Sequence, residues 1–509
     1  PLPGPTALHT PASDVIVEGF DMVGTASLTQ AVITVSDTAS GVAILNNTIL
    51  SGAGGVSGIL VLGNGALVQG NTITGAGAGG GRGILVDSSV IAGGTITGVT
   101  IDANVVGGFG SGAIVVDPVL GQTVTGNTIT SDASHGIQSD SPVGNVVIGD
   151  NTINNVGGNG ILVNDGVGTG ADAISIVNNT IGNDNSSGDI GLAGIFVLNS
   201  AGHGAIAITD NLIGTGPDAA QIGNSAIRVD SGGTAQIAIT GNEIGTGGAG
   251  IGEHRLVIDG PPGGILIGGN TISGTNAHGV AVFSVSGPAS GVTVSGDTIS
   301  DFGNTAFRDG IHINGVTGAT SRVVIEDVQI DGTGNPNADD GIQLTDVRFG
   351  TISNASIQNT NYGIFISDSI DPVSPASVTI AGTSIANVAV TGILVVDGNT
   401  IATTTVHFGA GNLIDGAAAG VVFNGAATRV GNPSTVGFND LVLLNIAGDF
   451  IVLASDALFL PGQPTVINAS NVSFDINDNG MMDANENVSG IDPSTWTAQA
   501  ELDDFWTNA

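Results

Sequence analysis

Oxygen-bearing residues recur at short, regular intervals near the end of the sequence, in the segment DINDNGMMDANE at residues 475–486. Their spacing is that of a twelve-residue calcium-binding loop, in which alternate side chains, one main-chain carbonyl and a final glutamate surround the ion. The predicted ligands are Asp475, Asn477, Asn479, the main-chain carbonyl of Met481, Asp483 and Glu486. Gly480 allows the sharp turn that such a loop needs. The sequence therefore predicts calcium as a cofactor, with a structural role.

A second group of ionisable residues lies between residues 278 and 362. When the Gly-Ile phrases of this region are aligned, these residues fall into columns: His278, Asp309, Asp340 and Tyr362 in one, Arg308 and Asp339 in the column before it, and His312 and Gln343 in a third. The third column should point outward, because the isoleucines on either side of His312 point inward. Paired acidic groups carry out glycoside hydrolysis as acid and base. The candidate catalytic residues are therefore Asp309, Asp339, Asp340 and His312, with Arg308 beside them.

Other features of the sequence weigh against catalysis at these positions. Equivalent bends in other repeats hold unrelated residues, namely Arg82, His135, Asn159, Ala193 and Thr391. Sugar sites usually offer aromatic faces for stacking, yet aromatic residues make up 4% of the chain and Tyr362 is its one tyrosine. These observations favour a variable exposed bend over a conventional active site.

The elements that position these residues come from a repeat that runs through most of the chain. The phrase Asn-Thr-Ile stands at residues 47–49, 71–73, 127–129, 151–153, 179–181 and 270–272. With its looser copies it recurs about every 28 residues, which is typical of one coil of a solenoid. Between the copies lies a second phrase of Gly followed by apolar residues, such as Gly58-Ile59-Leu60-Val61.

Both phrases alternate apolar residues with a period of two, which indicates strands and not helices. Strands at the same place in successive coils must pair in parallel. The sequence therefore predicts an all-β fold, a right-handed parallel β-helix of about 15 coils with a small C-terminal cap. The recurring Asn should form a ladder along the axis, because its amide can donate to one neighbouring coil and accept from the other.

The Gly-Ile-x-Val and Gly-Asn-Thr-Ile phrases resemble the repeats of parallel β-helix proteins of the pectate lyase-like superfamily, over roughly residues 15 to 460. That resemblance implies the fold and leaves the activity open, since the superfamily includes lyases, hydrolases, epimerases, tailspikes and adhesins. The C-terminal loop resembles the calcium loops of EF-hand and dockerin proteins, although dockerins pair two loops and one is visible here. The predicted organisation is an N-terminal extension at 1–14, a parallel β-helix at 15–474, a calcium-binding loop at 475–486, and a cap or contact segment at 487–509.

The net charge of the chain limits which classes of molecule it can bind. The chain has 44 acidic residues against 7 arginines and no lysine, a net charge of -37. Nucleic acid is excluded as a partner, because binding phosphates requires a cationic face. The surface should attract divalent cations or basic partners, and no apolar run approaches the roughly 18 to 20 residues of a membrane span. An extracellular or cell-surface location fits this composition.

Two hypotheses from different classes follow. The first is a non-enzymatic extracellular structural or surface protein of the sheath, filament or adhesin type, calcium-stabilised and self-associating or bound to a cell-surface partner. The alternative is a secreted polysaccharide lyase, hydrolase or epimerase that acts on an acidic polysaccharide through the cluster around Asp309. A carbohydrate-binding spike without turnover is a third possibility, and the sequence does not choose among ligands.

Overall fold

The structure is a computed structural model, and it describes residues 8–24, 30–52, 55–77, 80–89, 94–164, 166, 172–183, 190–198, 203–215, 222–230, 236–245, 254–259, 264–275, 277–285, 291–303, 308–333, 338–368, 377–397, 405–424, 436–437, 441–447, 451–453, 467–468 and 473–474. The predicted calcium loop at 475–486 and the segment 487–509 lie outside these residues. The described chain is built of strands, and it contains no helix long and apolar enough to cross a membrane.

The chain divides into two compact units, Pro1–Gly263 and Gly264–Ala509. In each unit, the strands of successive coils belong to three sheets, which we call A, B and C, apart from one separate pair in the C-terminal unit. Strands at the same place in successive coils pair in parallel. The predicted all-β parallel β-helix is therefore confirmed.

The N-terminal unit contributes the following strands. Sheet A contains Leu8–Thr10, Ala31–Val35, Ser57–Val61, Ile84–Asp87, Ile114–Asp117, Ile137–Asp140, Ile161–Asn164, Ile195–Leu198, Ser225–Asp230 and His254–Asp259. Sheet B contains Ile16–Glu18, Ala43–Leu45, Leu67–Gln69, Ile96–Asp102, Val119–Thr125, Val143–Gly149, Ala173–Val177, Ala205–Thr209 and Gln236–Thr240. Sheet C contains Asp21–Val23, Thr48–Leu50, Thr72–Thr74, Val105–Gly107, Thr128–Asp132, Thr152–Val156, Thr180–Ile181, Leu212–Ile213 and Glu243–Ile244. The first strand of sheet A lies before the predicted domain boundary at residue 15.

The C-terminal unit repeats the arrangement. Sheet A contains His278–Phe283, Ile311–Val316, Asp340–Val347, Tyr362–Asp368, Thr391–Asp397, Ala419–Asn424 and Ile451–Leu453. Sheet B contains Gly264–Gly268, Val292–Ser295, Val323–Glu326, Phe349–Ser353, Ser377–Ala381 and Thr405–Phe408. Sheet C contains Thr271–Ser273, Thr298–Ser300, Gln329–Asp331, Ser356–Gln358, Ser384–Ala386, Asn412–Ala417, Leu441–Ile446 and Ser473–Phe474. A separate pair joins Val436–Gly437 to Ile467–Asn468.

The core consists of columns of aliphatic side chains inside the coils. Ile129 of sheet C, for example, pairs with Ile153 of the next coil, and Ile153 with Ile181. All three are fully buried. Because the strand period is two, residues on either side of each buried aliphatic point out of the coil. The hydrophobic spine thus fixes which side chains face outward on every sheet.

The Asn ladder predicted from the repeat is confirmed in the N-terminal unit. Its buried members are Asn47, Asn71, Asn104, Asn127, Asn151, Asn179, Asn211 and Asn242. The Nδ2 of Asn151 donates to Oδ1 of Asn179 at 2.9 Å and to the carbonyl of Val124 at 3.0 Å. The residue before each ladder Asn takes the left-handed backbone, as at Asp150 with φ of 56°. The ladder therefore satisfies buried backbone groups at the bend between sheets B and C.

Candidate functional site

A second polar ladder runs along sheet A, at the residue before each Gly-Ile phrase. In the N-terminal unit, Nδ1 of His135 accepts the main-chain N–H of Asn159 at 2.9 Å, and Oδ1 of Asn159 accepts that of Ala193 at 2.9 Å. In the C-terminal unit, Oδ1 of Asp309 accepts the N–H of Asp340 at 3.3 Å in the same way. Side chains in this column therefore have a structural role, which is to accept a hydrogen bond from the next coil.

Glycine follows each of these column residues in the C-terminal unit because the coils approach closely there. A Cβ at Gly310 would lie 2.6 Å from Cγ2 of Ile330 and 2.7 Å from the carbonyl oxygen of Gly341. No side chain fits in that space. The backbone at Gly310 is thereby held against the next coil, and Asp309 beside it is held in a fixed position.

Asp340 departs from the ladder. The N–H of Tyr362, which should bond to the Asp340 side chain, donates instead to the main-chain carbonyl of Asp339 at 2.9 Å. Asp340 exposes 3% of its surface. Its Oδ1 is buried and has no hydrogen-bond partner among the residues that the structure describes. The carboxyl of Asp340 is therefore not explained by the architecture of the β-helix.

Electrostatics keep the Asp340 carboxyl protonated. Burial, then the charges of Asp309 and Asp339, raise its pKa to about 9. Burial and the charge of Asp309 also raise the pKa of Asp339, which is more accessible than Asp340. One oxygen from each of the three carboxyl groups lies within 4.8 Å of the others. At neutral pH the cluster thus holds the neutral acid Asp340 beside the ionised carboxylate of Asp309.

Asp309 is held by two histidines. Its Oδ2 lies 2.7 Å from Nδ1 of His312 and 3.2 Å from Nδ1 of His278. Burial would raise the pKa of Asp309, but hydrogen bonds and charge interactions with His278 and His312 outweigh it and lower the pKa. Burial lowers the pKa of His278. Asp309 is therefore an ionised carboxylate that orients two imidazole rings.

His312 lies outside the coil, as predicted. Its neighbours Ile311 and Ile313 are fully buried, and its own side chain is 13% exposed. The His312 ring lies 4.7 Å from the ring of His278 and 5.3 Å from that of Phe283, between centroids. In the described part of the chain, His312 Nε2 is buried and has no partner.

The structure brings four of the five candidate residues into direct proximity. Asp309, Asp339 and Asp340 form the carboxyl cluster, and His312 bonds to Asp309. The predicted pairing of Arg308 with Asp339 is wrong by one residue, because the parallel bridge joins Arg308 to Ala338 before the regular strand begins. Arg308 instead approaches His278, with Nη1 at 3.5 Å from Nε2. Whether these residues are catalytic stays a prediction.

Two contributors were missed as site residues in the sequence. His278 stood in the correct column but was not selected, although its contact with Asp309 follows from that column. Asn361 donates to Oδ1 of Asp339 at 3.5 Å. No sequence signal marks Asn361, because it lies in the bend that precedes the strand. The predicted calcium ligands lie outside the described residues.

Comparison with known proteins supports the fold. The family model described as "Right handed beta helix region" matches residues 31–213 and 225–434. Seven chains of known structure match, among them the catalytic unit of thermostable GH87 alpha-1,3-glucanase from Streptomyces thermodiastaticus strain HF3-3, with 14% identity and a TM-score of 0.25. That match covers 89% of this chain and 65% of the glucanase chain, so the chain spans about two thirds of it. No curated protein matches. The family match extends over most of the sequence, and the chain belongs to the right-handed β-helix family.

Proposed function

We propose that this protein is a polysaccharide-cleaving glycoside hydrolase whose site is the carboxyl cluster on sheet A of the C-terminal unit. The observation that carries the proposal is Asp340, a buried carboxyl group that is protonated at neutral pH and has no role in the ladder. A strongly perturbed ionisable group with specific charged neighbours is typical of a functional site.

The roles of the carboxyl groups follow from their environments. Asp340 is the general acid, because it holds a proton that it can donate to the leaving glycosidic oxygen. Asp339 is the ionised partner, since it is more accessible and Asn361 bonds to its Oδ1. Asp309 stays ionised, and its charge helps to keep Asp340 protonated between turnovers. Two carboxyl groups in these two states are what glycoside hydrolysis requires.

The spacing of the carboxyl groups favours one stereochemical course. Oxygens of Asp339 and Asp340 lie within 4.8 Å of each other. Retaining enzymes separate their carboxyl groups by about 5 to 5.5 Å, whereas inverting enzymes leave roughly 6.5 to 9.5 Å for a water molecule. One oxygen of each residue within that upper limit is nearer to the retaining than to the inverting geometry, so we propose retention of anomeric configuration, with Asp339 as the nucleophile.

A panel of neutral and acidic polysaccharides tests the proposal, with reducing ends and unsaturated products measured separately. Wild type should release reducing ends without unsaturated products. Asp340→Asn should lose on the order of 10² to 10⁴ in rate, while remaining folded. Asp301→Asn is a matched control, because Asp301 is exposed and has a left-handed backbone that Asn tolerates. Full activity in Asp340→Asn, or cleavage by elimination, would contradict the proposal.

A second candidate function is a non-enzymatic scaffold at the cell surface or outside the cell, calcium-stabilised and self-associating. The observation that favours it is the uninterrupted Asn ladder of the N-terminal unit, which pairs buried backbone groups from coil to coil. Electron microscopy with and without calcium tests this candidate. Particles that lengthen by association only in the presence of calcium would support it, and unchanged single particles would count against it.

A further inference from the structure

We propose that His278, Asp309 and His312 bind a divalent transition-metal ion of the zinc class. The ligand atoms are Nδ1 of each imidazole and Oδ2 of Asp309. This inference goes beyond the proposed hydrolase, because it concerns Oδ2 of Asp309 and the two imidazoles, whereas the proposed acid is Asp340.

The distances fit metal coordination. Bonds from such a metal to imidazole nitrogen or carboxylate oxygen are about 2.1 Å long, so neighbouring ligand atoms lie about 3.0 Å apart at right angles and about 3.4 Å apart in a tetrahedral site. The observed separations from Asp309 Oδ2 are 2.7 Å to His312 and 3.2 Å to His278. An ion can therefore enter with only small movements of the three side chains, and its other positions stay open to water or a ligand.

The types of ligand atom select the class of metal. Calcium and magnesium prefer sites made of oxygen atoms alone. Two imidazoles with one carboxylate suit zinc, iron, cobalt and related ions. The site is also buried, since Asp309 exposes 2% and His278 5% of their surface. A buried cluster of this kind differs from the exposed carboxylates that bind surface cations weakly.

Without a metal, the buried charge of Asp309 is offset by the two imidazoles and by the N–H of Asp340. The ion pairs of Asp309 in the described structure are with the two imidazoles, and the chain has no lysine. A buried carboxylate is costly unless a positive charge and hydrogen bonds offset it. Nδ1 of His278 accepts the N–H of Asp309 at 3.2 Å, which is longer than the 2.9 Å of the equivalent bond from Asn159 to His135. Metal binding would exchange this hydrogen bond for a coordination bond.

The experiment is a titration of chelator-treated full-length protein with Co²⁺ and with Zn²⁺, in the presence of excess Ca²⁺ to fill sites made of oxygen alone. Co²⁺ binding is followed by visible absorption and Zn²⁺ binding by calorimetry. We expect one ion per chain. Affinity should fall more than about 100-fold in His312→Gln and in Asp309→Asn. His407→Gln is the control, because His407 is exposed on strand Thr405–Phe408.

Two results would overturn the inference. One is the absence of Co²⁺ and Zn²⁺ binding when calcium is present. The other is equal affinity in wild type, His312→Gln and Asp309→Asn, which would leave the cluster as a metal-free hydrogen-bonded arrangement. Binding is measured without polysaccharide, so its failure leaves the hydrolase proposal standing, and loss of hydrolysis in Asp340→Asn leaves the metal site standing.

Discussion

Replacing Asp297 by Asn should stabilise the C-terminal unit at neutral pH. Asp297 occupies the place of an Asn in the axial ladder. Its Oδ1 accepts one hydrogen bond from the main-chain N–H of Asn270 at 2.7 Å and another from Nδ2 of Asn270 at 2.8 Å. The residue is fully buried, and its Oδ2 has no partner among the described residues. An Asn amide at this place would donate, as Asn151 does to the carbonyl of Val124.

The magnitude follows from the pKa of Asp297. Burial is the largest cause, and it raises the pKa from 3.8 to about 6 despite hydrogen bonds from Asn270. A raised folded-state pKa means that stability is fully present below about pH 3.8 and is lost as pH rises through about 6. A difference of about two pKa units corresponds to about 3 kcal/mol. Asp297→Asn should recover that amount at pH 7.5 and remove the pH dependence between about 4 and 6.

The assay is urea unfolding of wild type and Asp297→Asn at pH 4 and pH 7.5, with hydrogen exchange over residues 292–300 to localise the effect. Asp301→Asn serves as the control, since it removes a nearby exposed carboxylate without touching the ladder. The reasoning is refuted if Asp297→Asn is no more stable than wild type at pH 7.5, or if both proteins lose stability equally between the two pH values.

Four further results are expected. Hydrolysis by wild type should fall above about pH 9 because Asp340 loses its proton, and the residual activity of Asp340→Asn should lack that fall; a wild-type profile flat to pH 10 or beyond would contradict the assignment. Asn151→Ala should destabilise the N-terminal unit by about 2 to 4 kcal/mol, because it leaves buried backbone and amide groups without partners; urea unfolding measures this. Gly310→Ala should destabilise strongly, because its Cβ would lie 2.7 Å from the Gly341 carbonyl oxygen, whereas Gly264→Ala meets nothing within 4 Å; equal melting temperatures of the two variants would disprove the packing argument. Chelation of calcium should lower the melting temperature of wild type but not of Glu486→Gln, and an equal drop in both would count against the C-terminal loop.

The sequence predicts the fold well because the repeat encodes it locally. Each Asn-Thr-Ile phrase carries a bend residue and a core residue, so the axial ladder and the aliphatic spine can be inferred from one phrase. The pairing of Ile129 with Ile153, for example, follows from aligning two copies. The predicted register is wrong at Arg308, where the repeat is weakest, because Arg308 precedes its strand and lies outside the Gly-Ile phrase.

The site was only partly predictable for a different reason. Alignment places Asp309 and Asp340 in one column, and it does so correctly. Asp340 would belong to the ladder if its side chain accepted the N–H of Tyr362, but the main-chain carbonyl of Asp339 accepts that N–H instead. No pattern of residue types predicts which of the two acceptors is used. The protonation of Asp340 depends in turn on burial and on two neighbouring charges. Burial and the distances between charged groups are properties of the folded state, and a pattern of residue types does not give them.

The second ladder explains how a site of the proposed kind would arise on this β-helix at little structural cost. A column of side chains that accept N–H groups tolerates several residue types, since His135, Asn159 and Asp309 all serve. A polar residue can therefore vary there without loss of the fold. Once the backbone supplies its own acceptor, as the carbonyl of Asp339 does for Tyr362, the neighbouring side chain is released from that role. Asp340 is such a residue, and its protonated carboxyl group is the general acid of the proposed hydrolase.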